Sequence, residues 1–228
     1  MATVPLLKCK PPKRQKKQKA YLLTFVSNVA DATVSILSTL VPTATSLSSN
    51  PNPSTYGQSV AFVATVESSA PGGPTGTVTF KNGSNTLGSA TLSGTTAVLN
   101  TANLPAGTAS VVATYKGDGR SQSSSSDPVL QGVNKAVTTT TVVSSRNPSK
   151  VGQVVKFTAT VSSPTVIPTG AVTFLDGVTT LSTVKLARGK ASYSTSALSA
   201  GEHDITAVYG GDSNIEGSKS SVLVQSVN

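Results

Sequence analysis

"PTGTVTF" (Pro74–Phe80) returns ninety-four residues later as "PTGAVTF" (Pro168–Phe174). The alternation is that of a strand. Val78 and Phe80 share one face, as do Val172 and Phe174, so each Phe is the expected core anchor. Gly76 and Gly170 follow a Pro-Thr pair, which suits a turn that releases the chain into that strand. The dipeptides beyond, Asn82-Gly83 and Asp176-Gly177, are strong hairpin signals and predict type I′ turns. A strand opened by a turn and closed by a hairpin is a unit of antiparallel structure, and here the unit is used twice.

Working outward, the repetition continues. "NPSTYGQSVAFVATV" (52–66) matches "NPSKVGQVVKFTATV" (147–161), and "LPAGTASVVATYKGD" (104–118) matches "LSAGEHDITAVYGGD" (198–212). The blocks keep one order in both halves, so two copies of one domain is the economical reading. Turn signals divide the first copy into strands near 43–49, 59–67, 76–81, 86–92, 95–101, 108–116 and 127–134. The second divides near 138–145, 153–161, 170–175, 179–186, 189–195, 202–209 and 219–227. No amphipathic helix separates them, which excludes a parallel α/β fold. About seven short strands per copy predict an all-β chain of two tandem β-sandwiches. The expected division is an N-terminal extension over 1–41 and sandwiches over 42–135 and 136–228. The junction "GVNKAVTTTT" contains no long Gly/Ser linker, so a semi-rigid connection is expected.

Composition agrees. The chain of 228 residues is 37% hydrophobic, 12% charged and 4% aromatic, with no Trp. Val and Thr favour strands, while Gly, Pro, Asn and Ser punctuate turns. The net charge of +9 is a property of one segment. Lys8, Lys10, Lys13, Arg14, Lys16, Lys17 and Lys19 supply seven of the 18 positive charges, and the rest of the chain is nearly neutral. One cysteine, Cys9, excludes an internal disulfide framework. It follows Lys8 and no apolar run leads into it, so it is not read as a lipoprotein acceptor.

The blocks "NPS…GQ", "PTG.VTF…G" and "L.AG…..A.Y.GD" resemble the bacterial immunoglobulin-like repeats of the group 3 type, and both copies carry all three. The resemblance implies a seven-stranded immunoglobulin-like sandwich in each copy. It also implies tandem occurrence on large secreted or surface bacterial proteins, as spacer, adhesive or structural modules. Within such a sandwich Tyr115 and Tyr209 are expected to bury their rings and to bond through the hydroxyl, in the manner of a tyrosine corner. Asp118 and Asp212 are expected to cap turns.

Few residues invite chemistry. His203 lies between Glu202 and Asp204, but neighbours on a strand point to opposite faces, so it reads as a solvated strand end rather than a metal site. "DSNIE" (212–216) places Asp212, Asn214 and Glu216 at alternate positions yet lacks the full ligand set of a calcium loop. With one His and no supporting motif, nucleophilic catalysis is not expected. "LPAGT" (104–108) is a turn rather than a sorting signal, since its counterpart reads "LSAGE". No catalytic residue, cofactor or metal is expected. A carbohydrate-binding module is disfavoured by the scarcity of aromatics, with Tyr56 the residue to test.

The unrepeated N-terminus carries the live functional reading. Residues 1–19 form a basic arm suited to a neighbouring subunit, an anionic polymer or a surface glycan. It holds no aromatic to stack on bases, so sequence-specific nucleic-acid recognition is not expected. Residues 20–41 are apolar but interrupted. Asn28 and Asp31 break a secretory core and disfavour a membrane span. Ala32, Val34 and Ile36 alternate with Thr33 and Ser35 as a half-buried strand does. The expectation is a non-enzymatic extracellular or cell-surface protein, structural or adhesive. In one form it is a fibre subunit whose N-terminal segment inserts as a strand into a neighbour. The alternative is a virion surface protein anchored by its basic arm.

Overall fold

A computed structural model describes residues 39–228. The first copy contains β1 (Thr43–Asn50), β2 (Ser54–Thr55), β3 (Val60–Ser68), β4 (Thr77–Asn82), β5 (Asn85–Thr91), β6 (Thr96–Thr101), β7 (Gly107–Tyr115), β8 (Ser124–Ser125) and β9 (Val129–Asn134). The second contains β10 (Thr139–Ser144), β11 (Val155–Ser162), β12 (Ala171–Asp176), β13 (Thr179–Lys185), β14 (Lys190–Thr195), β15 (Gly201–Tyr209), β16 (Ser218–Lys219) and β17 (Leu223–Val227). In the first copy a sheet ordered β1-β3-β6 faces a sheet ordered β2-β9-β7-β4-β5, with β8 also on β7. In the second, β10-β11-β14 faces β13-β12-β15, with β16 and β17 both on β15. Ladders are antiparallel except β2 with β9, which is parallel.

Alternation drives the packing. β3 reads buried at Val60, Phe62, Ala64 and Val66, and its counterpart β11 at Val155, Phe157, Ala159 and Val161. Phe62, Phe80, Phe157 and Phe174 are all 0% exposed, which places the Phe of each repeated phrase at the centre of its core. The two cores are separate clusters, one per sandwich, and Tyr56 packs against both.

The short β2, β8 and β16 were not legible as strands, and the single strand expected over 219–227 is divided between β16 and β17. Two-residue pairings are too short for any period to register. Val41, read with the N-terminal segment, forms a parallel bridge to Ser121, so the first sandwich begins there. Ala136 bridges Ile215 in the corresponding place.

The recurrent motifs prove to be braces. In "NPS", Asn52 donates through Nδ2 to Leu130 O at 2.8 Å and accepts at Oδ1 from Gly132 N at 3.0 Å. Asn147 does the same with Val224 O and Ser226 N. One side-chain amide thus replaces a backbone rung where the chain crosses from one sheet to the other. Beneath it a glutamine is wholly buried in each copy. Gln225 Nε2 donates to Ser226 O and Ser149 Oγ, and Oε1 accepts from Ser144 Oγ at 2.6 Å. Gln131 Nε2 donates to Gly132 O, Pro51 O and Ser54 Oγ. The "GQ" glutamines close the next turn, with Gln58 Oε1 accepting from Thr55 N and Gln153 Oε1 from Lys150 N.

Two expected details differ. The β4–β5 and β12–β13 turns are centred on Gly83-Ser84 and Gly177-Val178, because Asn82 pairs with Asn85 and Asp176 with Thr179. Positive φ occurs only at the glycine, 58° and 56°, which is the II′ pattern rather than I′. The tyrosines bury their rings and bond through the hydroxyl as expected, but the acceptor lies forty residues upstream, farther than in a tyrosine corner. Tyr115 donates to Thr75 O at 2.9 Å and Tyr209 to Thr169 O at 2.8 Å, so each bonds the threonine of the "PTG" phrase. That ties the end of β7 or β15 to the turn that starts β4 or β12.

Among the described residues, Arg188 is the non-glycine residue at positive φ, 53°, in the β13–β14 turn, where the first copy has Gly94. An L-residue held left-handed costs about 1–2 kcal/mol. Glycine there returns about 0.5–1 kcal/mol of that to unfolded-chain entropy. Arg188→Gly is therefore expected to raise stability by about 0.5–1 kcal/mol, read as a later urea midpoint for the second sandwich.

Candidate interaction surfaces

The junction between the sandwiches is built from loops. The Tyr56-Gly57 turn approaches the 165–166 loop so closely that a Cβ on Gly57 would lie 2.3 Å from Val166 Cγ1 and 2.8 Å from Thr165 O. Gly57 also has φ of 82°, so the position is reserved for glycine twice over. Ala106 N donates to Asn214 Oδ1 at 2.9 Å, and Lys135 Nζ donates to Asp212 O at 2.8 Å. The "DSNIE" segment is thus part of the junction. Asp212 Oδ1 accepts from Asn214 N and Ile215 N, which is turn capping.

Among the described residues, the corresponding face of the first sandwich carries a cleft with nothing docked on it. Gly72, Gly73, Thr75, Asp118, Gly119 and Arg120 line this cleft of about 220 Å³. Asp118 Oδ1 accepts from Arg120 N and Ser121 N, and Oδ2 from Thr75 N and Thr75 Oγ1. Those donors, Arg120 N foremost, hold its carboxyl well below the usual carboxylate range. Arg120 Nη1 donates to Pro71 O. Burial, with Asp118 nearby, pushes the Tyr115 hydroxyl up.

His203 is not a solvated strand end. It lies on the core side of β15, in line with Ile205, with its side chain 12% exposed. Its ring faces two acceptors, Asp176 Oδ2 at 2.6 Å from Nδ1 and Ser199 O at 3.0 Å from Nε2. A neutral imidazole donates from one nitrogen only, so the pair of acceptors favours the imidazolium. The Asp176 hydrogen bond, then that to Ser199, raises the His203 pKa above its ordinary 6.5. The signal was across the sheet rather than along the strand: Asp176 sits in the hairpin dipeptide, not beside His203. A raised folded pKa means the contribution is complete below about pH 6.5 and is lost as pH rises through the folded value. Stability of the second sandwich is expected to fall across that window. In Asp176→Asn the same titration of the unfolding midpoint should be flattened.

Solvent-facing positions carry hydroxyls that pair across strands: Thr79 with Ser89, Thr158 with Ser192, and Thr173 with Thr183. Such pairs fix register without reactive groups. Among the described residues there is no cluster of three His, Cys, Asp or Glu side chains able to hold a metal. No helix among them is long and apolar enough to cross a membrane. The basic residues Lys8, Lys10, Lys13, Arg14, Lys16, Lys17 and Lys19 and the strand positions Ala32, Val34 and Ile36 lie outside the described residues.

Two facing sheets with β1 and β2 divided between them define an immunoglobulin-like sandwich, built twice. The model of the bacterial Ig-like domain (group 3) matches residues 47–134 and 140–228, and the chain belongs to that family. Curated proteins give no match. Among solved structures, the chain is similar to the fibronectin(III)-like modules of Clostridium thermocellum CbhA. Identity there is 19% over 80% of this chain and 92% of that one, with a TM-score of 0.34. It is similar to the Yersinia pseudotuberculosis adhesin InvE at 17% identity, over 81% of this chain and 58% of that one, with a TM-score of 0.39. Three N-terminal domains of the bacteriophage RB49 outer capsid protein Hoc match at 14% identity, over 81% of this chain and 58% of that one, with a TM-score of 0.34.

Proposed function

We propose that this chain is a non-catalytic structural or adhesive module displayed outside the cell that makes it. The observation that carries the reading is where the polar side chains go. The asparagines, glutamines, tyrosines and aspartates of the repeated motifs brace backbone, and the asparagines and tyrosines do so in the same way in both copies. What remains for a partner is hydroxyl-paired sheet faces and loop ends, surfaces suited to spacing and adhesion. Membership of a bacterial Ig-like family supports the same reading. The finer form is a surface fibre subunit. Its strand-like segment around Ala32, Val34 and Ile36 adds to a sheet edge of a neighbour, and its basic arm rests against that neighbour. Each sandwich closes its core with its own strands, so the addition is to an edge rather than into a gap.

Protease treatment of intact cells tests the display. Loss of the 39–228 antigen before lysis is the expected result. Protection until lysis overturns it, and recovery of the antigen only with virus particles selects the virion alternative. Deleting residues 1–41 tests the fibre form: the truncated chain should fail to assemble as the full chain does.

A further inference from the structure

An edge strand offers a row of unpaired N–H and C=O groups, and proteins blunt such edges with bulges, charges, proline or cover. Most sheet edges here are visibly blunted. β1 and β10 are laced to the facing sheet by hydroxyls, Thr43 with Ser124 and Thr140 with Ser218. β5 and β13 carry a register break, opposite Phe80/Lys81 and Phe174/Leu175. β14 opens on Lys190 and runs beside Lys156. β6 has none of these devices. Its sequence TAVLNT contains no charge and no proline, and it pairs with β3 in unbroken register. It ends its sheet, and among the described residues no strand pairs with its outer edge. On its solvent face Val98 is 46% exposed and stands directly opposite Val63 of β3. The equivalent pair in the second sandwich is Ser192 with Thr158.

The strand is also self-complementary about Val98. One step away on either side are Ala97 and Leu99, both apolar and facing inward; two steps away are Thr96 and Asn100, both polar. An antiparallel partner of the same sequence centred on Val98 therefore sets apolar against apolar and polar against polar. We propose that β6 pairs with β6 of a second copy of this chain across a two-fold axis at Val98. The product is one six-stranded sheet, β1-β3-β6-β6-β3-β1. The contact is isologous and closes at two copies. Val98 meets the second copy's Val98, and the Val63–Val98 pair becomes a row of four valines on one sheet face. Backbone pairing supplies the affinity and the row supplies the register. A six-residue edge buries little surface, so the dimer is weak and concentration-dependent. It is independent of any strand donated by residues 20–41.

Sedimentation velocity of the full chain over a range of concentrations tests this. The weight-average mass should climb toward that of a dimer. Val98→Lys sets two ammonium groups opposite each other at the axis and should weaken association by about tenfold or more. Ser192→Lys, at the matching position of the second sandwich, should leave it unchanged. Val98 is on the solvent face, so the unfolding midpoint of Val98→Lys reports that it folds. As a second readout, Val98→Cys in a Cys9→Ser chain should oxidise to a covalent dimer. A full chain that stays monomeric at every concentration overturns the proposal, as does equal association in the two lysine variants. If deleting residues 1–38 abolishes an association that Val98→Lys also weakens, the edge accepts the N-terminal segment instead, and self-pairing is overturned.

Discussion

Phe174→Ala lowers the stability of the second sandwich by about 3–5 kcal/mol, because it removes a fully buried ring and leaves a cavity. The ring sits between β13 and β15 in the sheet and is inclined against Tyr193, with centroids 6.0 Å apart. Val172, Ile205 and Ala207 belong to the same core cluster and are 0% exposed, so the ring is lost from a closed interior. In urea the second sandwich should unfold at markedly lower concentration, while the first keeps its own midpoint. Val178→Ala, in the adjoining turn at 98% exposure, should change nothing measurable.

The second large effect is polar. Gln225→Leu keeps the volume but strips the hydrogen bonds that join β17 to the crossing chain. Ser149 Oγ, itself buried, loses its donor in a site Gln225 fills at 0% exposure, while Ser226 O keeps the bond from Ser149 N. A buried polar group left unpaired costs about 1–3 kcal/mol, so the loss should approach that of the phenylalanine. The two variants differ in kind. Gln225→Leu should loosen the 144–149 crossing first, seen as faster amide exchange at Ser149 N and Asn228 N, whose backbone bonds lie beside it. Phe174→Ala should weaken the whole sandwich uniformly.

Most of this fold was legible in sequence, and the reason is particular. Val60 to Val66 and Val155 to Val161 alternate without interruption, and period two fixes which side chains are buried once one face is apolar. The repeated phrase adds a second reading of every strand, so a doubtful boundary in one copy is checked by the other. What could not be read was partnership at a distance. Tyr115 finds Thr75 forty residues upstream, and His203 finds Asp176 across a sheet. Asn52 and Gln131 are ordinary polar residues until the crossing of the chain brings them against β9 or into the interior. Local pattern says that a residue is on a strand; it does not say which carbonyl will face it. The hairpin turns show the same limit, because moving the turn by one residue exchanges I′ for II′ while leaving the strands unchanged.

"PTG.VTF" marks a scaffold, one autonomous sandwich per copy, each with its own core. Hydrogen exchange of the full chain carrying Phe174→Ala tests it most directly. Faster exchange confined to β10 through β17, with β3, β4 and β7 as protected as in the parent chain, is the predicted result. Equal loss of protection in β3, β4 and β7 would show a single shared core and contradict the account.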